Sequence, residues 1–446
     1  MEATVKTYPC PDGQIQRVHL VRPDSWEALE FLSMEPDPGA LDCFAKIYRQ
    51  FLVPACPWLF GHMVMFRLPE GMEVPFSRET DRYGTVASPL TAAAAALEAG
   101  VRIHGNTPHF RNPQVEAFWK ALEAAGCIRI VSGKLPITTI IPVGGNAGYL
   151  SRTAPEAALK VNSSFFIMDR FDCATVHDHI GTVLGLCVRR GIVENPPLYG
   201  REALLVRQDG TVRVETPKLE DLTLEIRGRC YRPGVDLEIF SRPEHLWTPA
   251  RKGTKLVLVG CRVAAVTGRS RVKIPASGVV VCLKDPGPVE AGDAVIYHGM
   301  EDVVFGIQVG NSLMVDGEKT RRFRSRFYNI RGLEPVPFPP SLYPLNYRED
   351  RAARIALGAD AEGKPMLLWA EGAAKIGHQK GVDSQGASLW ELEDICCDLG
   401  MVSGVNLDGG GSAQILLQGQ RHLRISDRNP DGTQAERLIP MGLMIK

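Results

Sequence analysis

Val405–Leu417 reads VNLDGGGSAQILL: an apolar run enters Asp408, three consecutive glycines and Ser412, and a second apolar run follows. Three glycines in a segment this apolar are costly in backbone entropy, so the chain must turn tightly here or let something approach closely. Asn406, Asp408 and Ser412 gather short polar groups at the same spot. Polar, glycine-rich turns at strand ends are where functional loops often sit. Just upstream, 386–400 (GASLWELEDICCDLG) spaces Leu389, Leu392, Ile395 and Leu399 as one helical face. The unit reads helix, link, strand, glycine turn, strand.

The run Asn406–Ser412, placed after a helix, closely resembles the C-terminal signature of the phosphodiester glycosidase family. Three further stretches resemble the family's segments in the expected order. Asn162, Phe165 and Phe166 in VNSSFFI are similar to its Asn-Gly-Gly-Phe-Phe segment, with Ser163 and Ser164 in place of the glycines. GIQVGNSLMVDG at 306–317 resembles its middle glycine-rich strand pair, and RIALG at 354–358 its Arg-Thr-Ala-Ile-Gly segment. The resemblance runs over roughly 140–446. It implies an α+β fold: a mixed β-sheet catalytic domain with flanking helices at 146–446; the short strands at about 218–300 read either as a β-rich insertion or as part of the catalytic sheet. An α/β accessory domain is expected before it, at 1–145. Where the family usually has Asp-Gly-Arg, this chain has Glu371-Gly372-Ala373, which removes an arginine.

Composition narrows the partners. In 446 residues, Lys+Arg and Asp+Glu are equal at 51 each, so no global field draws nucleic acid or a membrane. The opening MEATVKTYPCPDG lacks a basic region followed by an apolar run, and no apolar stretch approaches the ~18 residues of a spanning helix. The 11 cysteines are scattered, with Cys396 and Cys397 adjacent in an expected helix, which suits reduced thiols and a cytoplasmic location. A secreted origin is the alternative if a leader has been removed.

Along the first 145 residues the pattern predicts helices at 23–34, 39–51, 91–99 and 112–125, with strands at 64–74, 127–131 and 138–143. Residues 169–182 gather Asp169, Asp172, His177, Asp178 and His179. That cluster could hold a divalent ion, line a sugar pocket or donate to a phosphate, and nothing in the reading requires a cofactor. Asp209-Gly210 marks a hairpin, and 222–317 reads as short strands between Gly and Pro turns. The basic run 317–331 offers Arg321, Arg322 and Arg324 to an anion, or simply forms a solvated loop. Its small extent argues against an extensive nucleic-acid interface. A proline-rich linker, 333–347, precedes the last region.

Function follows from the resemblance and from the chemistry of a sugar-1-phosphodiester. Phosphate is a good leaving group, so its charge must be neutralised and a carboxylate must act at the anomeric carbon. Asp408 is the first choice for that carboxylate; bracing the turn is its competing role. Glu371 and Asp169 are lesser candidates. Arg354 is the expected phosphate clamp. Asn162, Asn406, Gly409, Gly410, Gly411, Ser412, His177 and the arginines 321, 322 and 324 complete the expected substrate-binding set. The alternative is a non-catalytic carbohydrate- or phosphoglycan-binding protein on the same scaffold.

Overall fold

The computed structural model describes residues 2–34, 37, 39–47, 49, 61–131, 135–144, 147–168, 172–242, 244–285, 287–310, 312–320, 350–373, 378–424, 426–427, 429 and 433–446. They form a mixed α+β fold, several mostly antiparallel sheets with a few helices. Two sheets position the glycine turn. The first has seven strands in the order Thr4–Pro9, Ile15–Val21, Pro365–Ala370, Arg354–Ala359, Ser403–Asn406, Ser312–Val315, Glu318–Lys319. The second has five: Gln420–Arg421, Ile415–Leu417, Leu159–Asn162, Met441–Ile445, Glu30–Ser33.

Strand periodicity explains how the first sheet is covered. Ile355, Leu357, Leu367, Trp369 and Val405 alternate onto one face and join the main core with Leu159, Val161, Ile415 and Leu443 of the second sheet. Ala356, Met366, Leu368 and Ala370 fall on the other face and pack under Leu389, Leu392, Ile395 and Cys396. These last four belong to helix Leu389–Asp398, the one expected from spacing. It begins at a capping box: the Glu391 amide donates to Ser388 Oγ (3.2 Å), and the Ser388 amide donates to the Glu391 carboxylate (2.9 Å). Because both faces are buried, the central strands are largely apolar, with Arg354, Ser403 and Asn406 confined to strand ends.

The sheets draw on both sides of residue 145, so the described residues do not set 1–145 apart as a separate accessory domain. Ile15–Val21 pairs with Pro365–Ala370, and Glu30–Ser33 pairs with Met441–Ile445. Residues 61–142 do have a core of their own. Helices Pro89–Gly100 and Pro113–Ala124 supply Leu97, Phe118, Trp119 and Leu122 to it, against Val64, Phe66, Ile128 and Ile140. Even here Val86–Ala87 pairs with Arg262–Thr267 of another sheet.

The helix expected at 23–34 is absent: the chain makes one short 3-10 turn, Trp26–Ala28, and then strand Glu30–Ser33. Phe31 and Leu32 are buried there, and pairing with a distant strand outweighs local propensity. The helix expected at 39–51 is observed as Ala40–Ile47. The Asp209-Gly210 hairpin joins Ala203–Arg207 to Val212–Glu215 as expected. Residues 222–317 are built of short strands in several sheets. Every cysteine among the described residues is a free thiol, and no described helix is long and apolar enough to cross a membrane.

Gly358 tests the packing of the central strands. A Cβ there would overlap the Ser403 carbonyl oxygen and lie 2.6 Å from Met401 Sδ, whereas at exposed Gly268 the nearest atom is 3.8 Å away. Gly358→Ala is expected to destabilise the protein by about 2 kcal/mol or more, and Gly268→Ala to leave it nearly unchanged, as read from urea unfolding midpoints.

Candidate active site

The glycine turn is where the chain passes from the seven-stranded sheet to the five-stranded one. Strand Ser403–Asn406 ends beside Arg354–Ala359, and strand Ile415–Leu417 begins beside Leu159–Asn162. Between them the Leu407 amide donates to Ile355 O, Asp408 to Ser163 O and Gly410 to Ala353 O, at 2.9, 2.9 and 2.8 Å. Gly410–Ser412 closes as a 3-10 turn, so the second strand starts at Ile415 rather than at Ala413. Asn162 spans the crossing: its Nδ2 donates to the Asp408 carbonyl (2.7 Å), and its Oδ1 accepts from the Gln414 amide (2.8 Å). The amide expected to orient a substrate hydroxyl is engaged with backbone.

The three glycines differ in what they permit. At Gly409 a Cβ would lie 2.7 Å from Ala353 O. At Gly411 it would overlap Arg437 Nη2 and Asp427 Oδ1, while at Gly410 it meets nothing within 4 Å. Gly410 is instead required by its backbone, at φ 61°.

Asp408 lies at the centre of this crossing, 8% exposed. Burial pushes its carboxyl up to about 7; a hydrogen bond with Ser412, the charge of Arg437, the Gly409 amide and the charge of Arg354 pull the other way without cancelling it. The two guanidiniums are engaged elsewhere as well. Arg354, 2% exposed, donates through Nε to Ala387 O and through Nη2 to Asp350 O, both at 3.0 Å. Arg437 binds Asp427 through Nε (3.0 Å) and Nη2 (2.8 Å), and its Nη1 donates to Ser412 Oγ at 3.4 Å. Sequence reading missed Arg437. It sits in an unremarkable coil, QAERLIP, and only the fold brings it to Ser412. A cleft of about 470 Å³ is lined in part by Arg437 and Asp427.

The structure thus brings together Asp408, Arg354, Asn162, Gly409, Gly410, Gly411 and Ser412. Asn406 ends the preceding strand, with its carbonyl accepting from Gly310 N (2.8 Å) and its side chain packed against Gly310. Glu371 follows Ala370, the residue opposite Arg354, but its carboxylate is held by Arg17 Nη1 (3.1 Å) and His19 Nε2 (2.8 Å). His177 lies in another loop, where its backbone amide donates to Thr175 Oγ1 (3.2 Å). Burial lowers its imidazole to about 4 against the opposing charge of Asp178. Asp178 ties that loop to Ser277, accepting from its amide (2.9 Å) and its hydroxyl (2.7 Å). Among the described residues no three His, Cys, Asp or Glu are grouped to hold a metal ion. Asp169, Arg321, Arg322 and Arg324 lie outside the described residues.

Comparison with known proteins bears on the same turn. Residues 262–446 match the phosphodiester glycosidase family. Over 68 residues the chain is 37% identical to the mouse (Mus musculus) N-acetylglucosamine-1-phosphodiester alpha-N-acetylglucosaminidase and 35% identical to the human (Homo sapiens) one. Each alignment covers 15% of this chain and 12% of the relative's length. Among solved structures, a hypothetical protein from Synechocystis aligns at 14% identity and TM-score 0.43, covering 100% of this chain and 62% of that one. The zebrafish N-acetylglucosamine-1-phosphodiester alpha-N-acetylglucosaminidase catalytic domain, auto-inhibited by its pro-peptide, aligns at 13% and 0.40, covering 100% and 82%. The phosphodiester glycosidase match holds Arg354, Glu371, Asp408 and Arg437; Asn162 and His177 lie before it.

The raised carboxyl of Asp408 has a thermodynamic consequence. Between the ordinary carboxylate value of 3.8 and about 7, the folded state holds a proton that the unfolded state has released. Stability contributed by protonated Asp408 is therefore full below about pH 4 and is lost as pH rises towards 7, on the order of 4 kcal/mol in all. Urea unfolding of the parent and of Asp408→Asn at a series of pH values should show the asparagine variant gaining relative stability over that window and holding it above pH 7.

Proposed function

We propose that the chain hydrolyses the glycosidic bond of a sugar-1-phosphodiester, with Asp408 as the carboxylate that acts at the anomeric carbon. The observation that carries this reading is a buried Asp408 inside the family's signature turn, beside Ser412, Arg437 and Arg354. A carboxyl poised near neutrality exchanges a proton at working pH more readily than an exposed one. In the proposed step a water oxygen bonds to the anomeric carbon and gives its proton to Asp408. The bond from that carbon to the bridging oxygen breaks, and the phosphomonoester leaves with the electron pair. Arg354 and Arg437 provide fixed positive charge where the anion develops. The mammalian relatives, named as N-acetylglucosamine-1-phosphodiester alpha-N-acetylglucosaminidases, support that substrate class.

A second reading, a non-catalytic binder of phosphoglycans, draws on one observation. Of the candidate carboxylates described, Glu371 is held by Arg17 and His19, and Asp427, beside the turn, is held by Arg437. On that reading Asp408 braces the turn, and its replacement affects binding rather than turnover.

Release of N-acetylglucosamine and a phosphomonoester from an α-linked N-acetylglucosamine-1-phosphodiester separates the two. Asp408→Asn should lower kcat about a thousandfold or more while substrate still binds, and the parent's rate should rise through pH about 7 as the carboxyl ionises. Arg354→Ala should lower kcat/KM for the phosphodiester at least tenfold more than for a neutral aryl glycoside. Parent-like turnover by folded Asp408→Asn would reject the assignment.

A further inference from the structure

The cleft beside Arg437 is assembled from three places: helix Ala40–Ile47, residues 149, 151 and 152, and residues 427, 429 and 434–437. The first two precede the family-matched segment, so this wall belongs to the chain's own N-terminal part. Its volume of about 470 Å³ suits a ligand of sugar-phosphate size.

The charges on its walls nearly cancel. Asp42 pairs with Arg129 (2.5 Å), Arg152 with Asp37 (2.7 Å), Glu436 with Arg421 (2.7 Å) and Asp427 with Arg437 (2.8 Å). Lys46 remains. Its ammonium donates to the Asn429 side-chain carbonyl, and among the described residues it has no carboxylate partner. The described wall therefore carries one uncompensated positive charge, on a flexible and exposed side chain at the mouth. On the same wall the exposed Arg152 guanidinium lies 4.5 Å from the centre of the Tyr149 ring.

We infer that this cleft is a subsite for a singly charged phosphodiester group, with Lys46 as the residue that selects the anion. The inference rests on the phosphodiester reading above and adds a site and a charge state to it. A phosphodiester carries one negative charge, which a single ammonium neutralises. A phosphomonoester at neutral pH carries nearly two, and for the second the described wall offers no cation that is not already paired with a carboxylate. A hydrolysis that turns the diester into a monoester would thus weaken the hold of its own product.

Binding measured apart from turnover tests this. Titration calorimetry would compare diethyl phosphate with inorganic phosphate, using the full chain carrying Asp408→Asn so that no bond is broken. The expected result is tighter binding of the diester anion, a loss of about fivefold in Lys46→Gln, recovery in Lys46→Arg, and weakening by added salt because the ammonium is exposed. Equal affinity of Lys46→Gln and its parent for the diester anion, tighter binding of inorganic phosphate, or no binding of either probe would overturn the subsite. Turnover assays judge the hydrolase reading independently: Lys46-dependent binding without turnover in the native chain keeps the subsite and removes the hydrolase. Turnover with the same KM in native and Lys46→Gln chains does the reverse.

Discussion

Two hydrogen bonds from a single amide hold the candidate site together. Asn162, at the end of a strand in one sheet, grips the carbonyl of Asp408 and the amide of Gln414, on either side of the glycine turn. Between those points the chain makes few regular bonds of its own, because three glycines offer no side chains to lock it. The crossing between sheets is thus fixed from outside, by a neighbour that precedes it by roughly 250 residues. Leaving a buried backbone group orphaned there would cost about 1–3 kcal/mol, enough to make asparagine a structural requirement before any contact with substrate is considered.

The electrostatics of Asp408 follow from the same confinement. Two arginines lie close enough to pull its carboxyl down, yet burial wins. The reason lies in where the guanidiniums spend their hydrogen bonds. Arg437 faces Asp427, and Arg354 reaches the carbonyls of Ala387 and Asp350. Their charge is felt through space but is largely committed, so the desolvation cost of an ionised carboxylate is only partly offset. A bound anion would change this balance, since it would compete with Asp408 for the same positive charge.

Much of the local structure was legible in the sequence. The 3.6-residue spacing at 389–399 found the helix that covers the first sheet, and Asp209-Gly210 found a hairpin. The family motif led to Asp408, Arg354 and Asn162, which do converge. What the sequence did not reveal depends on long-range pairing. Residues 23–34 have helical composition but form an edge strand because Met441–Ile445 needs a partner. Glu371 reads as a candidate acid until Arg17 and His19 arrive from another strand to hold it. Arg437 carries no motif at all, and its position follows from Gln414 Nε2 donating to its carbonyl and Asp427 meeting its guanidinium. Pattern reading sees neighbours along the chain; these roles are set by neighbours across it.

Two strands near the start of the sequence carry a consequence for how the protein is made. Ile15–Val21 pairs with the neighbouring Thr4–Pro9 on one side but with the distant Pro365–Ala370 on the other, and Glu30–Ser33 pairs with Met441–Ile445. A ribosome adding roughly 5–20 residues per second needs on the order of 20–80 s to travel from the one to the other. For that interval Phe31 and Leu32, buried in the finished protein, have no sheet to enter. Strand Glu30–Ser33 must therefore wait, without its sheet partner, until Met441–Ile445 has been made. The five-stranded sheet that carries one side of the glycine turn can be completed only when Glu30–Ser33 docks beside Met441–Ile445.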